Sequence, residues 1–186
     1  MSDISAEKAT ARKAALTRRF QLNSSAASRA GAEKLLDFLI PYRGSAFCGY
    51  MPIRTEIDPL FAMSTMTQYG PVGVPVVLGE GQSLEFRRWN KNTPMMAGAF
   101  GAQVPIEAEI VIPDLIVLPL VAFDKKGYRL GYGGGFYDRT LESLRKRGPI
   151  VAVGFAYSGQ QVVNLPVEPT DQKLDAVVTE NDVTLF

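Results

Sequence analysis

The chain has 186 residues, of which 46% are hydrophobic and 21% charged, as is usual for one soluble globular domain. Twenty Lys and Arg residues against nineteen Asp and Glu give a net charge of +1, which argues against a general nucleic-acid or acidic-membrane binder. The chain has no histidine and one cysteine, which excludes Ser-His-Asp catalysis, His-ligated zinc and an internal disulfide. Any catalysis must therefore use carboxylates, Lys, Arg, Tyr, backbone groups or an oxygen-ligated cation.

The N-terminal segment predicts a helix over residues 3–22 that carries two neighbouring stripes. The basic stripe consists of Lys8, Arg12 and Arg19, and the apolar stripe consists of Ala9, Leu16 and Phe20. We expect the helix to dock through its apolar edge and to point its basic edge into a neighbouring space. A solvated helix face is the commoner explanation of such a basic stripe, unless the stripe faces a ligand site.

The same segment is charged and lacks the apolar region of a secretory signal, and no run of the chain is long and apolar enough to span a membrane. We therefore expect a cytoplasmic protein.

Helices and short apolar strands alternate along the rest of the chain. The other helices are predicted over residues 26–40, 59–68 and 136–147, with Ser24 or Ser25 capping the first and Asp58 capping the second. Strands are predicted over residues 45–50, 74–78, 84–89, 115–118, 150–157 and 176–179. This alternation favours a single α/β domain over residues 1–186 with a central, mostly parallel sheet. Residues 90–113 are predicted to form a long irregular connection with at most a short strand.

The strongest motif is YRLGYGGGFYDR at residues 128–139, which lies between a predicted strand and a predicted helix. Its glycines let backbone N–H groups approach an anion closely, and the helix N-terminus favours phosphate. Arg129 can add a charged fork for a phosphate group. The motif is neither a Walker A loop nor a dinucleotide fingerprint, and a glycine-rich surface turn is the alternative interpretation.

Three carboxylates are candidates for ligand contacts. Asp138 lies in the first turn of the predicted helix and Asp175 precedes the last predicted strand, so together they can hold Mg²⁺ beside phosphate oxygens. Each also has an ordinary explanation, as a partner of the helix dipole or as a turn residue. Glu56 can accept hydrogen bonds from the N–H groups of a ligand, or it can simply mark a helix start.

Several apolar and aromatic side chains can line a pocket for a flat ring, although core positions are the commoner explanation: Phe86, Trp89, Met95, Met96 and Phe100. Tyr132 and Tyr137 flank the glycines and can stack on a substrate or donate to it, or can equally be core tyrosines. We expect Cys48, in an apolar strand, to be buried and inert.

These motifs resemble the 5-formyltetrahydrofolate cyclo-ligase family, also called 5,10-methenyltetrahydrofolate synthetases. The resemblance rests on PDLIVLPLVAFD at residues 113–124 and RLGYGGGFYDR at residues 129–139. It is supported in chain order by Lys8 with Arg12, Met51-Pro52, Glu56-Ile57-Asp58 and Leu174-Asp175. It implies an α/β domain whose mostly parallel, Rossmann-like open sheet is flanked by helices.

The resemblance implies a ligase of one-carbon metabolism that converts 5-formyltetrahydrofolate to 5,10-methenyltetrahydrofolate with ATP and Mg²⁺, releasing ADP and phosphate. The partners would be small molecules, a reduced folate and ATP, with no nucleic acid and no membrane. The protein would be a monomer or a weak homodimer.

The resemblance also implies roles for individual residues, four groups in all. The catalytic residues would be Arg129 and Tyr137. The ATP contacts would be Lys8, Arg12, Arg129, Leu130, Gly131, Tyr132, Gly133, Gly134, Gly135, Phe136 and Tyr137. The folate contacts would be Met51, Glu56, Tyr132, Gly133, Gly134, Gly135 and Phe136. The magnesium ligands would be Asp138 and Asp175.

The chain departs from the family pattern at three places. Val104 precedes Pro105 where many members carry Glu, Leu120 replaces a commoner Gly, and Gly134 stands where some members carry Lys. The last change implies that phosphate charge is met by Lys8, Arg12, Arg129 or Mg²⁺. A non-catalytic folate- or nucleotide-binding relative is the alternative function, and an isomerase or acyl-transfer enzyme on a similar sheet is a third that fold analogy alone permits.

Overall fold

The computed structural model describes residues 3–186, and its central feature is a sheet of seven strands. The strands of the chain are β1 (Phe47–Cys48), β2 (Val72–Val76), β3 (Glu85–Arg88), β4 (Met95–Ala97), β5 (Gln103–Pro105), β6 (Leu115–Pro119), β7 (Ala122–Asp124), β8 (Arg129–Leu130), β9 (Val151–Phe155), β10 (Gln161–Val162), β11 (Ala176–Val178) and β12 (Val183–Leu185). The helices are α1 (Asp3–Leu22), α2 (Ser25–Leu39), α3 (Leu60–Met66) and α4 (Phe136–Arg145).

The central sheet has the order β12-β11-β9-β6-β1-β2-β3. Its five inner strands pair in parallel, and only the edge strands β12 and β3 run antiparallel to their neighbours. The predicted α/β fold with a mostly parallel sheet flanked by helices is therefore confirmed. Two small sheets accompany it: β10-β7-β8 and the hairpin β4-β5.

Strand β6 shows why its sequence is apolar without interruption. Leu115 and Val117 pack into the core on one face of the sheet, and Ile116 and Leu118 pack into the core on the other. Successive side chains of a strand alternate between faces, so a strand covered on both sides needs an apolar residue at every position. Helices α2 and α3 cover the first face, and α4 covers the second through Leu141.

Helix α1 has the predicted bounds, but it docks differently from the prediction. Ala15 is buried against β7 and β8 with partly buried Ala11 and Leu16 beside it, whereas Phe20 is 72% exposed and Ala9 is exposed too. The basic stripe is the part that turns inward, and Arg19 is only 1% exposed. The prediction that α1 docks through its apolar stripe was therefore wrong. Small alanines and the polar contacts of Arg19 form most of its packed face.

Other local expectations hold with shifted ends. Ser24 caps α2, since its Oγ accepts a hydrogen bond from the N–H of Ala27. Helix α3 begins at Leu60, whose N–H donates to Asp58 Oδ1 at 2.8 Å. Cys48 is buried as expected, and burial raises the pKa of its thiol.

The predicted irregular connection contains more structure than expected, because β4 and β5 form an antiparallel hairpin within residues 90–113. Four short strands, β7, β8, β10 and β12, have no counterpart in the sequence prediction. In the described part of the chain, no helix combines the length and hydrophobicity that crossing a bilayer requires.

The strand order reverses between β1 and β6, because the chain builds outward to β2 and β3 and then returns to the other side of β1. In open α/β sheets, ligands bind beyond the carboxyl ends of the strands at such a reversal. The topology therefore points to the space beyond Cys48 and Pro119.

Candidate active site

A cavity of about 880 Å³ lies at this reversal. Tyr50 and Met51 follow β1, and Pro119 ends β6; all three line the cavity. The predicted site residues that line it are Lys8, Arg12, Met51, Glu56, Arg129, Leu130, Gly131, Tyr132, Gly133, Gly134, Gly135, Phe136, Tyr137 and Asp138. The fold thus gathers in one place every residue to which the family resemblance assigns a role, except Asp175.

The glycine run forms one wall of the cavity, between β8 and α4. Gly133 and Gly135 have φ values of +102° and +66°, a region that residues with a Cβ rarely adopt. Gly135 is the N-cap of α4, so the helix N-terminus, with its free N–H groups, opens at this wall. This geometry suits an anion and disfavours the interpretation as an ordinary surface turn.

Two cations of α1 line the cavity, Arg12 at this wall and Lys8 beside Glu168 and Asp171, so the basic stripe is not a solvated helix face. Arg12 Nε donates to the carbonyl of Gly131 at 2.8 Å, and its guanidinium packs against Gly133. Lys8 Nζ lies 2.8 Å from Glu168 Oε2 and 2.7 Å from Asp171 Oδ2. Burial lowers the pKa of Lys8, but its bonds to the two carboxylates outweigh this and raise the pKa above its ordinary value.

Arg129 and Asp138 form an ion pair where the glycine run meets α4. Arg129 Nη2 donates to Asp138 Oδ1 at 2.8 Å, and Arg129 Nη1 donates to the carbonyl of Gln172. The N–H of Gln172 donates to the same oxygen, Asp138 Oδ1, at 2.9 Å. Burial lowers the pKa of Arg129, and Asp138 opposes that shift. Within residues 3–186, no hydrogen-bond donor reaches Asp138 Oδ2, so that oxygen is the one available to a cation.

Asp175 does not join Asp138, which corrects the predicted pairing. Its Oδ2 accepts hydrogen bonds from Arg145 Nη2 at 3.1 Å and from the N–H of Ala152 at 2.8 Å. Ala152 lies near the amino end of β9, and Arg145 ends α4, about two helical turns beyond Asp138. Asp175 directly precedes β11, so it lies at the amino ends of the parallel strands, whereas the cavity lies at their carboxyl ends.

Glu56 is buried in the cavity lining, in the turn after β1. Its Oε2 accepts a hydrogen bond from the N–H of Ile53 at 2.8 Å, and its Oε1 lies 3.9 Å from Arg19 Nη1. Burial raises the pKa of Glu56 to about 7, although the Ile53 bond and the Arg19 charge both lower it. The Glu56 carboxyl group is therefore a hydrogen-bonding group of the cavity whose ionisation is disfavoured by burial.

The two tyrosines of the glycine run differ in environment. The Tyr132 hydroxyl accepts a hydrogen bond from Arg19 Nη2, and the ring centroid of Tyr132 is 5.4 Å from that guanidinium. Tyr137 lies in the first turn of α4 and packs against the core, where burial raises the pKa of its hydroxyl. Tyr137 is thus a neutral hydrogen-bonding group at physiological pH.

The hairpin β4-β5 supplies a wall that the sequence did not predict. Ala99, Phe100, Ala102 and Val104 line the cavity there, and Phe100 packs edge-on against Phe136 with ring centroids 5.8 Å apart. Of the five candidates for a ring pocket, only Phe100 lines the cavity. Phe86 and Trp89 are core residues, and Met96 is exposed.

Other lining residues escaped the sequence analysis because no local signal marks them. Arg54 lies in the turn beside Glu56, and Glu168 and Asp171 belong to an irregular segment before β11. In the part of the chain that is described, no group of three or more acidic, His or Cys residues is arranged to hold a metal ion by itself.

Comparison with known proteins gives one consistent result. A family model described as the 5-formyltetrahydrofolate cyclo-ligase family matches residues 4–180. A 5-formyltetrahydrofolate cyclo-ligase of Escherichia coli is 53% identical over 145 residues, which are 74% of this chain and 76% of that protein. The Haemophilus influenzae protein of the same name is 48% identical over 134 residues, 69% of each chain.

Solved structures agree with these sequence matches. The structure of Aquifex aeolicus 5,10-methenyltetrahydrofolate synthetase superposes with a TM-score of 0.78 at 33% identity, covering 96% of this chain and 92% of that one. A 5,10-methenyltetrahydrofolate synthetase from Mycoplasma pneumoniae superposes with a TM-score of 0.74 at 26% identity, covering 94% and 99% of the two chains.

Proposed function

The chain belongs to the 5-formyltetrahydrofolate cyclo-ligase family, and we propose that it converts 5-formyltetrahydrofolate to 5,10-methenyltetrahydrofolate with ATP and Mg²⁺. One observation carries this proposal: the phosphate-type wall of glycines and cations and the buried acceptor Glu56 line the same cavity. Two substrates that must react with each other need such a shared space.

The phosphates of ATP bind at the glycine run. Backbone N–H groups and the N-terminus of α4 face that wall, and Lys8 and Arg12 add positive charge to it. Phosphate oxygens would compete with Glu168 and Asp171 for the Lys8 ammonium group, which the two carboxylates hold 2.7–2.8 Å away. Gly134 has no charged side chain, so Lys8, Arg12 and Arg129 are the residues that offset the negative charge of the phosphates.

The residues present fit Mg²⁺ at Asp138. This ion takes only one or two protein carboxylates and fills its other positions with phosphate and water, so a site with one free carboxylate oxygen suits it. When bound, Mg²⁺ neutralises charge on the phosphates. Arg129 orients the carboxylate of Asp138 through its 2.8 Å hydrogen bond. We do not assign Asp175 to this ion, because Arg145 and the Ala152 N–H hold its carboxylate elsewhere.

The folate lies between Glu56 and the hairpin. Glu56 accepts hydrogen bonds from N–H groups of the pteridine, while Met51 and Phe100 supply apolar surface to its ring. Tyr132 and the glycines touch both substrates because their wall faces the middle of the cavity.

The reaction follows from placing these two substrates together. The formyl oxygen attacks the γ-phosphate of ATP to give an activated imidate phosphate and ADP. The nitrogen that carries the aminobenzoyl group then attacks the formyl carbon and closes the ring; the C–O bond to phosphate breaks, and the proton of that nitrogen leaves with the phosphate. The chain positions the substrates and offsets phosphate charge, so it needs no histidine; Arg129 stabilises the transferring group, and the neutral Tyr137 hydroxyl orients it.

The test is direct. Purified protein mixed with 5-formyltetrahydrofolate, ATP and Mg²⁺ should form the methenyl product, followed by its near-ultraviolet absorbance, and should form none without ATP. Substrate binding without product would instead favour the non-catalytic relative, for which Val104 in the cavity wall is the supporting observation. Val104→Glu would then be the first variant to assay.

We also propose that the protein works in the cytoplasm on small molecules alone, with neither nucleic acid nor membrane as a partner, as a monomer or weak homodimer. The near-neutral net charge of +1 supports the absence of nucleic acid. Light scattering of the purified protein at several concentrations tests the oligomeric state.

A further inference from the structure

Arg19 is a buried cation that connects two walls of the cavity. Arg19 projects from α1 and is only 1% exposed. Its Nη2 donates a hydrogen bond to the hydroxyl of Tyr132 in the glycine run. Its Nη1 donates to the carbonyl of Leu120 at 3.3 Å and lies 3.9 Å from Glu56 Oε1. Its Nε donates to Thr55 Oγ1 at 3.2 Å, in the same turn as Glu56.

Burying the Arg19 guanidinium has a free-energy cost that stability alone does not explain, which suggests a role in the site. A buried guanidinium loses its hydration, and ion pairs of this kind often add little to stability compared with apolar packing. Arg19 itself does not line the cavity, but both of its site partners, Tyr132 and Glu56, do. Any effect of Arg19 on a substrate must therefore pass through these two residues.

We propose that Arg19 is a positioning residue that holds the Glu56 carboxyl group and the Tyr132 hydroxyl beside each other, so that the folate meets a fixed acceptor. The inference rests on the proposed function, in which Glu56 binds the pteridine N–H groups. Arg19 was singled out by the sequence only as part of a basic stripe, and its neighbours Lys8 and Arg12 serve the phosphate wall instead.

The electrostatics support this role. The charged and titratable groups that influence Glu56 come from several elements: Arg19 of α1, Arg54 of the same turn, Tyr132 of the glycine run, and the buried Tyr50 and Tyr137. Burial raises the pKa of Glu56 to about 7, and the positive charge of Arg19 acts against that rise. Without Arg19, the pKa of Glu56 would rise further, and the protonated form would persist to higher pH.

The test compares Arg19→Met with Arg18→Met, a neighbouring and exposed arginine of the same helix. For each variant, the KM for folate and the KM for ATP are measured across the pH range that spans the pKa of Glu56. We expect Arg19→Met to raise the folate KM at neutral pH by about tenfold, as for losing a hydrogen bond to a charged group, with a smaller change in the ATP KM. The pH midpoint of folate binding should move upward, and Arg18→Met should match the wild type.

Two further variants separate positioning from mere structural support. Arg19→Lys restores the charge and should return the pH midpoint toward that of the wild type. Glu56→Gln should remove the pH dependence, and adding Arg19→Met to it should produce no new midpoint. If Arg19→Met does not fold, Arg19→Gln removes the charge while keeping a donor and serves the same comparison.

The outcomes are distinguishable. A folded Arg19→Met variant with lower thermal stability but an unchanged pH midpoint would overturn the proposal and leave Arg19 a structural residue. A wild-type protein that makes no methenyl product would overturn the proposed function first. If the wild type forms the methenyl product and Arg19→Met shifts the pH midpoint of folate binding upward, both the proposed function and the role of Arg19 are supported.

Discussion

The residues on the two sides of the cavity are fixed in place by different interactions. On the charged side, Lys8, Arg12, Arg129 and Asp138 are fixed by ion pairs and hydrogen bonds of 2.7–2.9 Å. On the hairpin side, Phe100 is 68% exposed and meets the rest of the site through an edge-on contact with Phe136. Phe100 also has a φ of +58°, which is unusual for a bulky residue.

This difference indicates that the two sides of the site have different roles. The charges that we propose to meet phosphate are held in place by other parts of the chain, so they need little reorganisation when charge is transferred. The apolar wall relies on side-chain contact area, in which no bond fixes direction, and therefore suits a flat ring. Substitutions on the charged side should accordingly cost more activity than substitutions on the hairpin.

The largest effect is expected at Asp138. Asp138→Ala should reduce Mg²⁺-dependent turnover by about 100-fold or more, because it removes the proposed metal ligand and leaves Arg129 buried without its partner. Asp37→Asn, on exposed α2 surface, is the control for a lost surface carboxylate. Turnover that survives in a folded Asp138→Ala variant would remove this residue from the site.

Asp175 offers a direct comparison with Asp138. The family resemblance pairs them at one ion, whereas the structure holds Asp175 on Arg145 and Ala152. We expect Asp175→Asn to lower thermal stability and to leave the Mg²⁺ concentration needed for half-maximal turnover nearly unchanged. A large increase in that concentration would restore the pairing and contradict the placement described above.

The next effect concerns the cations of α1. Replacing Lys8 and Arg12 together by alanine should raise the KM for ATP by about tenfold or more, with less effect on the KM for folate, since both line the cavity and are proposed to meet the phosphates. Lys13→Ala, an exposed cation of the same helix, serves as the control. Removal of the first 12 residues without loss of ATP affinity would refute this role.

Glu56→Gln should raise the KM for folate more than the KM for ATP. The expected loss of folate binding is on the order of 1–3 kcal/mol, because pteridine donors would lose their carboxylate acceptor. Steady-state kinetics with each substrate varied in turn measure both constants, and equal effects on the two would argue against a pteridine contact.

The same residue affects stability with a defined sign. Burial raises the pKa of Glu56 from 4.5 to about 7 in the folded protein, so the folded state favours the protonated form. Its contribution is present below pH 4.5 and is lost as the pH rises to about 7. Melting temperatures of the wild type relative to Glu56→Gln should therefore fall across this window; a constant difference would contradict the burial of a titrating carboxyl group.

The smallest effect is expected on the hairpin. Phe100→Ala should raise the folate KM only a few-fold, as for the loss of an aromatic contact of about 0.5–1.5 kcal/mol. Ile106→Ala, an exposed apolar residue that follows β5, is the matched control. A loss as large as that of Asp138→Ala would show that the hairpin does more than supply contact area.

Local sequence was sufficient where a pattern has one physical meaning. The apolar run of β6 requires burial on both faces, and the glycines before α4 require a tight turn at a helix start; both predictions match the structure. Local sequence was insufficient where contacts join distant segments. Nothing near Glu168 or Asp171 reveals that they meet Lys8, which lies 160 or more residues earlier.

The remaining differences have physical causes of the same kind. Phe20 belongs to an apolar stripe, yet tertiary packing selects Ala15 and Arg19 for the buried face of α1. The sequence predicted at most a short strand where the hairpin β4-β5 forms, because its strands lack a clear alternation. Asp175 was paired with Asp138 because its motif does not show at which end of the parallel strands it lies.

The central claim is that both substrates react in this one cavity, and the amount of ADP formed per methenyl product tests it most directly. We predict one ADP for each product, with neither formed when either substrate is withheld. Product without ADP, or ADP formed without folate at the same rate, would contradict the account.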